Sequence, residues 1–341
     1  MKKLGFGIIG CGVIGKIHSD VISKLDNAEL VAVYSIPVDA AEEFAAGYEG
    51  CKCYHTLEEM LADPAIDVVS ICTPSGLHYD ATIAAAKAKK HVICEKPIDI
   101  NLEKAKRMVA ACEENGVTFS VILQHRFDDP VMALKKAANE GHFGKLLWGA
   151  SRTIWHRTDE YFDNGWRGTW AADGGGALIN QSIHYIDLLL NFFGPVKSVS
   201  GKCRRTVHHQ IETEDLGVAT VEFANGAIGT IEGSTACYPG LYTELSIFGE
   251  KGSAIIRNDN LIYCKLQGEV PEYLAEKITT PDARKEPLGK AHAKQYSDTI
   301  EAILNNKTPS VSGYDSTASL ELIKAIYTSS DEKREVFIQK H

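Results

Sequence analysis

The sequence predicts two domains in series: a doubly wound parallel α/β sheet over residues 1–123, then an α+β domain over 124–341 built on a mostly antiparallel sheet. Three observations carry this. Short β-rich apolar runs alternate with helical patterns through the first 123 residues, which is the signature of parallel strands joined by helical crossovers. Beyond Arg126 the runs alternate apolar with polar residues and meet at hairpin turns. The 341 residues, 44% hydrophobic and 24% charged, suffice for two separate cores.

In order, the first five predicted strands are Leu4 to Ile9, Leu30 to Tyr34, Val68 to Cys72, Val92 to Glu95 and Val117 to Leu123. Helical spacing lies between most of them, following the first strand through Leu25 and recurring at Leu57 to Leu61, His78 to Lys89 and Leu102 to Asn115. Pro130 to Glu140 opens the second domain as a helix. Strands follow at Leu216 to Phe223, Ala227 to Ser234, Leu245 to Phe248 and Ser253 to Arg257, with turns at Asn225-Gly226 and Gly249 to Gly252. Ala291 to Leu304 and Ser316 to Thr328 read as closing helices.

Composition excludes several classes. A net charge of -9 with no Lys/Arg stripe argues against a nucleic-acid partner. Nine cysteines without a C-x-x-C pair read as reduced thiols, and Cys51 and Cys53 are too close for a zinc knuckle or a structural disulfide. No metal site is expected, because His208-His209 and Glu212 with Glu214 read as an exposed strand-loop face. No hydrophobic stretch near the amino terminus is long enough for a signal peptide or a membrane span, so a cytoplasmic protein with no membrane partner is expected.

Gly10-Cys11-Gly12-Val13-Ile14-Gly15 stands between the first strand and a helix, where a dinucleotide fingerprint must stand. Gly10 allows the tight turn, Gly12 admits the pyrophosphate, and Gly15 lets helix and strand pack. The helix amino terminus, with Val13 and Ile14 in its first turn, offers amide donors to the diphosphate. About 20 residues on, where an acid would hold the ribose 2′-hydroxyl, stands Ser35. No cation for a 2′-phosphate follows it, so NAD is slightly favoured over NADP.

Lys96, in Glu95-Lys96-Pro97 at the end of a predicted strand, points into the crevice where an open α/β sheet binds its ligand. Ile179, Ile183, Ile186, Leu190 and Phe193 form an apolar stripe, bordered by a polar file of Asn180, His184, Asp187 and Asn191. A lone histidine there is more often structural, but the Gly174 to Gly176 approach loop and Lys96 favour function.

The chain resembles the glucose-fructose oxidoreductase, inositol dehydrogenase and rhizopine catabolism (Gfo/Idh/MocA) family over nearly its whole length. The resemblance rests on the fingerprint with His18, Thr73-Pro74-Ser75-Gly76-Leu77-His78, Glu95-Lys96-Pro97, Gln124-His125-Arg126-Phe127-Asp128, Gly174 to Leu178, and Ile183-His184-Tyr185-Ile186-Asp187. It implies a Rossmann domain, a C-terminal domain with a large open sheet, and a homodimer or homotetramer formed through that sheet. It also implies that Thr73, Pro74, His78, Glu95 and Lys96 line the cofactor site, and that hydride passes between nicotinamide and a sugar-like alcohol.

In such a reaction His184 would accept the hydroxyl proton and Lys96 would steady charge on oxygen, although a lysine with a lowered pKa could exchange these roles. Inositol-type members have an aspartate where this chain has Asn180. That looks more like the branches that oxidise C3 of a nucleotide sugar or glycoside. All four tryptophans, Trp148, Trp155, Trp166 and Trp170, fall before the triple glycine among Arg152, Arg157 and Arg167. A sugar-binding wall, or core packing with arginines paired to Asp159, Glu160, Asp163 and Asp173, would explain them equally. Arg126, Trp166, Arg167, Asn180 and Asp187 are the substrate-binding candidates, with His292 behind them. The expected activity is oxidation of a secondary hydroxyl, at C3, of a sugar, sugar acid, glycoside or nucleotide sugar. The alternatives are an NAD-dependent glycosidase using transient C3 oxidation, with Tyr161, Asp163 or Asp173 as a further acid/base, and a non-catalytic cofactor-sensing regulator.

Overall fold

The computed structural model describes residues 3–163, 165–280 and 289–338. In chain order its elements begin β1 (Leu4–Ile9), α1 (Val13–Ile22), β2 (Ala28–Tyr34), α2 (Val38–Ala46), β3 (Lys52–Cys53), α3 (Leu57–Ala62) and β4 (Val68–Ile71). Next come α4 (His78–Lys87), β5 (His91–Cys94), α5 (Leu102–Asn115), β6 (Phe119–Val121), α6 (Asp129–Asn139) and β7 (Leu146–Ile154). A π-helical stretch, Ala177–Ser182, runs into α7 (Ile183–Phe193). Strands β8 (Val196–Arg204), β9 (Leu216–Phe223), β10 (Ile228–Ser234), β11 (Thr243–Gly249), β12 (Gly252–Arg257) and β13 (Asn260–Leu266) follow. The chain closes with α8 (Glu272–Ala275), α9 (Lys290–Leu304), α10 (Gly313–Glu332) and β14 (Val336–Phe337).

Two compact units result: Met1–Gln124 with Pro287–Thr317, and His125–Glu286 with Ala318–His341. The first holds a parallel sheet in the order β3-β2-β1-β4-β5-β6. Its central strands are apolar on both faces, β1 and β4 being buried throughout, because helices cover both sides. Local chemistry sets the helix limits: Asn101 accepts from the Lys104 amide to start α5, and Gly116, at φ 68°, ends it in the left-handed region. The order reverses between β1 and β4, so the loops leaving those two strands flank the crevice that such sheets use for ligands.

In the second unit the sheet order is β13-β12-β11-β7-β10-β9-β8-β14, antiparallel except for the β7–β10 pair. Helix α7 packs on one face of it. A Cβ at Gly149 of β7 would lie 2.4 Å from the Phe193 ring, so the absence of a side chain there is what lets α7 approach.

Several expectations change. The domain expectation of 1–123 and 124–341 misses that α9 belongs to the first unit, where Tyr296 and Ile300 join the core of Phe6, Ile8, Val33, Val68, Ile93 and Ile122. An amphipathic stripe shows that a helix is buried without showing in which core. Strands β7, β8 and β13 and the α2–β3 segment were not anticipated; in β7, buried Ser151 and Thr153 hide the apolar alternation. In α7, Leu190 is only half-buried while Leu188 and Leu189 are buried, and the π-helical entry breaks the 3.6-residue period assumed for the stripe.

Candidate active site

The fingerprint glycines do three different jobs. Gly10 has φ +104°, and a Cβ there would sit 2.8 Å from the Cys72 carbonyl after β4. A Cβ at Gly15 would come within 2.2 Å of the Gly10 carbonyl oxygen, while one at Gly12 would meet nothing within 4 Å. Gly12 is therefore free of steric duty to the fold, and the first-turn amides of α1 stand beside an open approach that fits a dinucleotide pyrophosphate. Val13 is 85% exposed at that rim. Ser35 lies beside the same loop, its hydroxyl in reach of the Cys11 thiol.

Behind Lys96 stands a buried polar network. The Glu95 carboxylate accepts from the Lys96 backbone amide (3.0 Å) and from His18 Nε2 (3.0 Å). His18 Nδ1 meets Ser70 Oγ at 2.7 Å and the Tyr296 hydroxyl at 2.8 Å, and these two oxygens are 2.7 Å apart. His292 Nε2 is 4.0 Å from Glu95. Burial works against charge on both partners, but the Cys72 sulfur and Glu95 push the His18 pKa up, while the hydrogen bond and charge of His18 hold Glu95 down. Each partner thus favours the charged form of the other, and Glu95 also fixes the backbone that carries Lys96.

His78 plays a similar part. It is 1% exposed, with Nε2 at the Thr73 carbonyl (2.9 Å) and Nδ1 at the carbonyls of Pro97 (3.0 Å) and Ile98 (3.2 Å). It ties the Thr73-Pro74 turn to the turn after Lys96. Glu95, His78 and His292 are all buried, and the bonds of Glu95 and His78 hold the backbone at Thr73 and from Lys96 to Ile98. Tyr296 was missed, although its place one turn after His292 on a helix was the available signal.

In the second unit His184 is half-buried at the start of α7, its ring edge-on to His125 with centroids 4.9 Å apart. His125 Nδ1 bonds Asp128 Oδ2 at 2.7 Å and is 3.3 Å from Asp259 Oδ1. The sequence shows His125 within the Gln124 to Asp128 motif without showing its role, and Asp259 carries no sequence signal. Asn180 donates Nδ2 to Asp173 Oδ1 (2.5 Å) and accepts from Gln181 Nε2 (2.8 Å). Arg126 and Asp187, both expected on substrate, grip each other: Nε to Oδ2 at 2.7 Å and Nη2 to Oδ1 at 2.6 Å, with Asp187 1% exposed. That bidentate pair braces α7.

The helix entry has its own clamp. Buried Glu214 accepts from the amides of Gly176 and Leu178 (both 2.9 Å) and from the Tyr327 hydroxyl (2.9 Å), and burial raises its pKa to about 7. The expectation of an exposed face at 208–214 is corrected: His209 and Glu212 are exposed, but His208 and Glu214 are buried, His208 bonding the Thr235 carbonyl. The tryptophans divide as well. Trp148 stacks on Phe248 and Trp170 meets Tyr327 edge-on, whereas Trp155 and Trp166 flank the guanidinium groups of Arg157 and Arg167.

Residues 4–123 match the oxidoreductase family with the NAD-binding Rossmann fold, GFO/IDH/MocA, and residues 131–255 match the GFO/IDH/MocA C-terminal domain. The chain is 28% identical to the myo-inositol 2-dehydrogenase of Thermotoga maritima over 98% of each protein. It is 30% identical to the 2,7-anhydro-N-acetylneuraminate hydratase of Escherichia coli, over 73% of this chain and 66% of that one. Among solved structures, the WlbA dehydrogenase from Bordetella pertussis, in complex with NADH and UDP-GlcNAcA, superposes with a TM-score of 0.91 at 33% identity, covering 100% of this chain and 99% of that one.

Proposed function

Because the chain belongs to the GFO/IDH/MocA oxidoreductase family, we propose that it is an NAD(P)-dependent dehydrogenase acting on the C3 hydroxyl of a sugar, sugar acid, glycoside or nucleotide sugar. The observation that carries the reading is His184, half-buried against a second imidazole that is itself held by a carboxylate. Such a histidine can take a proton from an alcohol and share the resulting charge with its neighbours. Asn180, held by Asp173 and Gln181, offers an amide to sugar hydroxyls. Lys96, its backbone anchored by Glu95, is the cation that steadies negative charge on the substrate oxygen as the proton leaves. When bound, the nicotinamide supplies the hydride acceptor. Oligomers would form through the face of the eight-stranded sheet on which Val218 and Ile228 are exposed.

The test is absorbance of the reduced nicotinamide during a screen of sugars, uronic acids, glycosides and nucleotide sugars. Lys96→Ala and His184→Ala should each lose about 10²- to 10⁴-fold in turnover while NADH binding, read by fluorescence, persists. Full activity in either variant removes that residue from the chemistry. The relative named a hydratase favours one second reading, transient oxidation followed by elimination and rehydration. Product formed without net NADH would support it.

A further inference from the structure

Arg107 pairs with Glu114, Arg126 with Asp187, and Arg152 and Arg257 share Glu244. Arg157 makes no ion pair with a carboxylate among the described residues. It lies half-buried with its guanidinium 4.9 Å from the ring centres of both Trp155 and Tyr161, and its Nη2 donates to the neutral Gln181 Oε1 at 2.8 Å. Its Nε is buried and has no hydrogen-bond partner among the described residues.

Of the acids nearby in sequence, Asp159 meets Gln210 Nε2 and His208 Nδ1, Asp173 accepts from the Gly168 amide and Asn180, and Glu160 and Asp163 are exposed. On the Tyr161 ring sits a second cation, Arg167, 4.3 Å from its centre and 4.9 Å from that of Trp166. Arg167 also donates Nη1 to the Tyr161 carbonyl at 3.3 Å. The aromatic faces against Arg157 hold its guanidinium plane in place without neutralising it, which leaves its edge to an anion. The group is joined to the candidate catalytic helix, for Gln181 bonds Arg157, the Tyr161 hydroxyl and Asn180 together.

We propose that Arg157, with Arg167 across the Tyr161 ring, binds an anionic group on the substrate, so that the enzyme selects acidic over neutral sugars. The inference rests on the dehydrogenase reading above. The anion is either a carboxylate on the oxidised ring or a phosphate ester at its anomeric carbon; both suit a guanidinium edge.

The experiment uses the full chain with NAD and paired substrates: methyl glucoside against methyl glucuronide for the carboxylate, and N-acetylglucosamine against its UDP ester for the phosphate. Arg157→Gln should lower kcat/KM for the acidic member of one pair by about ten- to a hundredfold relative to its neutral partner, through KM. Arg157→Lys should restore part of that ratio, which a merely structural role would not produce. An equal fall for both members overturns the proposal. His184→Ala run beside them separates the two readings: turnover surviving in that variant refutes the histidine's role and not the anion site. Should wild type oxidise none of the four, calorimetry on the NADH-loaded protein decides, and failure of any acidic sugar to bind, or binding unchanged in Arg157→Gln, overturns the proposal.

Discussion

Asp187→Ala is the perturbation whose cost follows most directly from the geometry. The carboxylate is 1% exposed and accepts two charge-assisted bonds from Arg126, whose side chain is 11% exposed. Removing it takes the bidentate carboxylate from a nearly buried guanidinium, which costs about 3–5 kcal/mol, the range seen when one partner of a buried pair is lost. That is roughly a hundredfold to a few thousandfold in the unfolding constant. Replacing both partners by apolar residues, Arg126→Met with Asp187→Leu, should recover most of the loss, since no unpaired charge then remains. Urea unfolding followed by tryptophan emission is the assay, because all four tryptophans lie in the second unit and report on it without assuming that the whole chain unfolds as one. A cost below about 1 kcal/mol, or a double variant as unstable as the sum of the singles, would refute the reasoning.

Three other outcomes are expected. Burial raises Glu214 to about 7, so the folded state holds its proton more tightly than the unfolded chain does. The resulting stability is whole below the unfolded carboxyl pKa of about 4.3 and is lost as pH climbs through 7, some ~3 kcal/mol in all; Glu214→Gln should flatten that part of the pH–stability curve, measured by urea midpoints. Gly12→Ala should fold normally yet bind NADH more weakly, whereas Gly15→Ala, whose Cβ would press on the Gly10 carbonyl, should fail to fold, as circular dichroism and fluorescence titration would show. Ser35→Asp should shift preference toward NAD by repelling a 2′-phosphate, and unchanged relative affinities would mean that Ser35 does not meet the adenosine ribose.

What the sequence made legible was whatever is written in a few consecutive residues. The five strands read in the first 123 residues recur in the sheet because strands buried on both faces are continuous apolar runs. The fingerprint, Glu95-Lys96-Pro97 and His184 likewise announce themselves locally. Strand β8 does not, since its register shifts between Val196 and Ser198 and breaks the alternation. Long-range pairing was hidden too. Arg126 and Asp187 are 61 residues apart, and each alone reads as a free charged group. The Tyr296 hydroxyl reaches His18 across 278 residues, a distance no periodicity spans.

The contribution of α9 to the first unit bears on how the protein is made. Phe6, Ile8 and Ile122 leave the ribosome early, but Tyr296 and Ile300, which share their core, are translated only after the whole intervening sheet. At a synthesis rate of about 5–20 residues per second, that is a wait on the order of ten seconds or more with apolar surface uncovered. The nucleotide-binding half is thus first to be started and among the last to be finished, and a nascent chain arrested before residue 290 would be a natural client for chaperones.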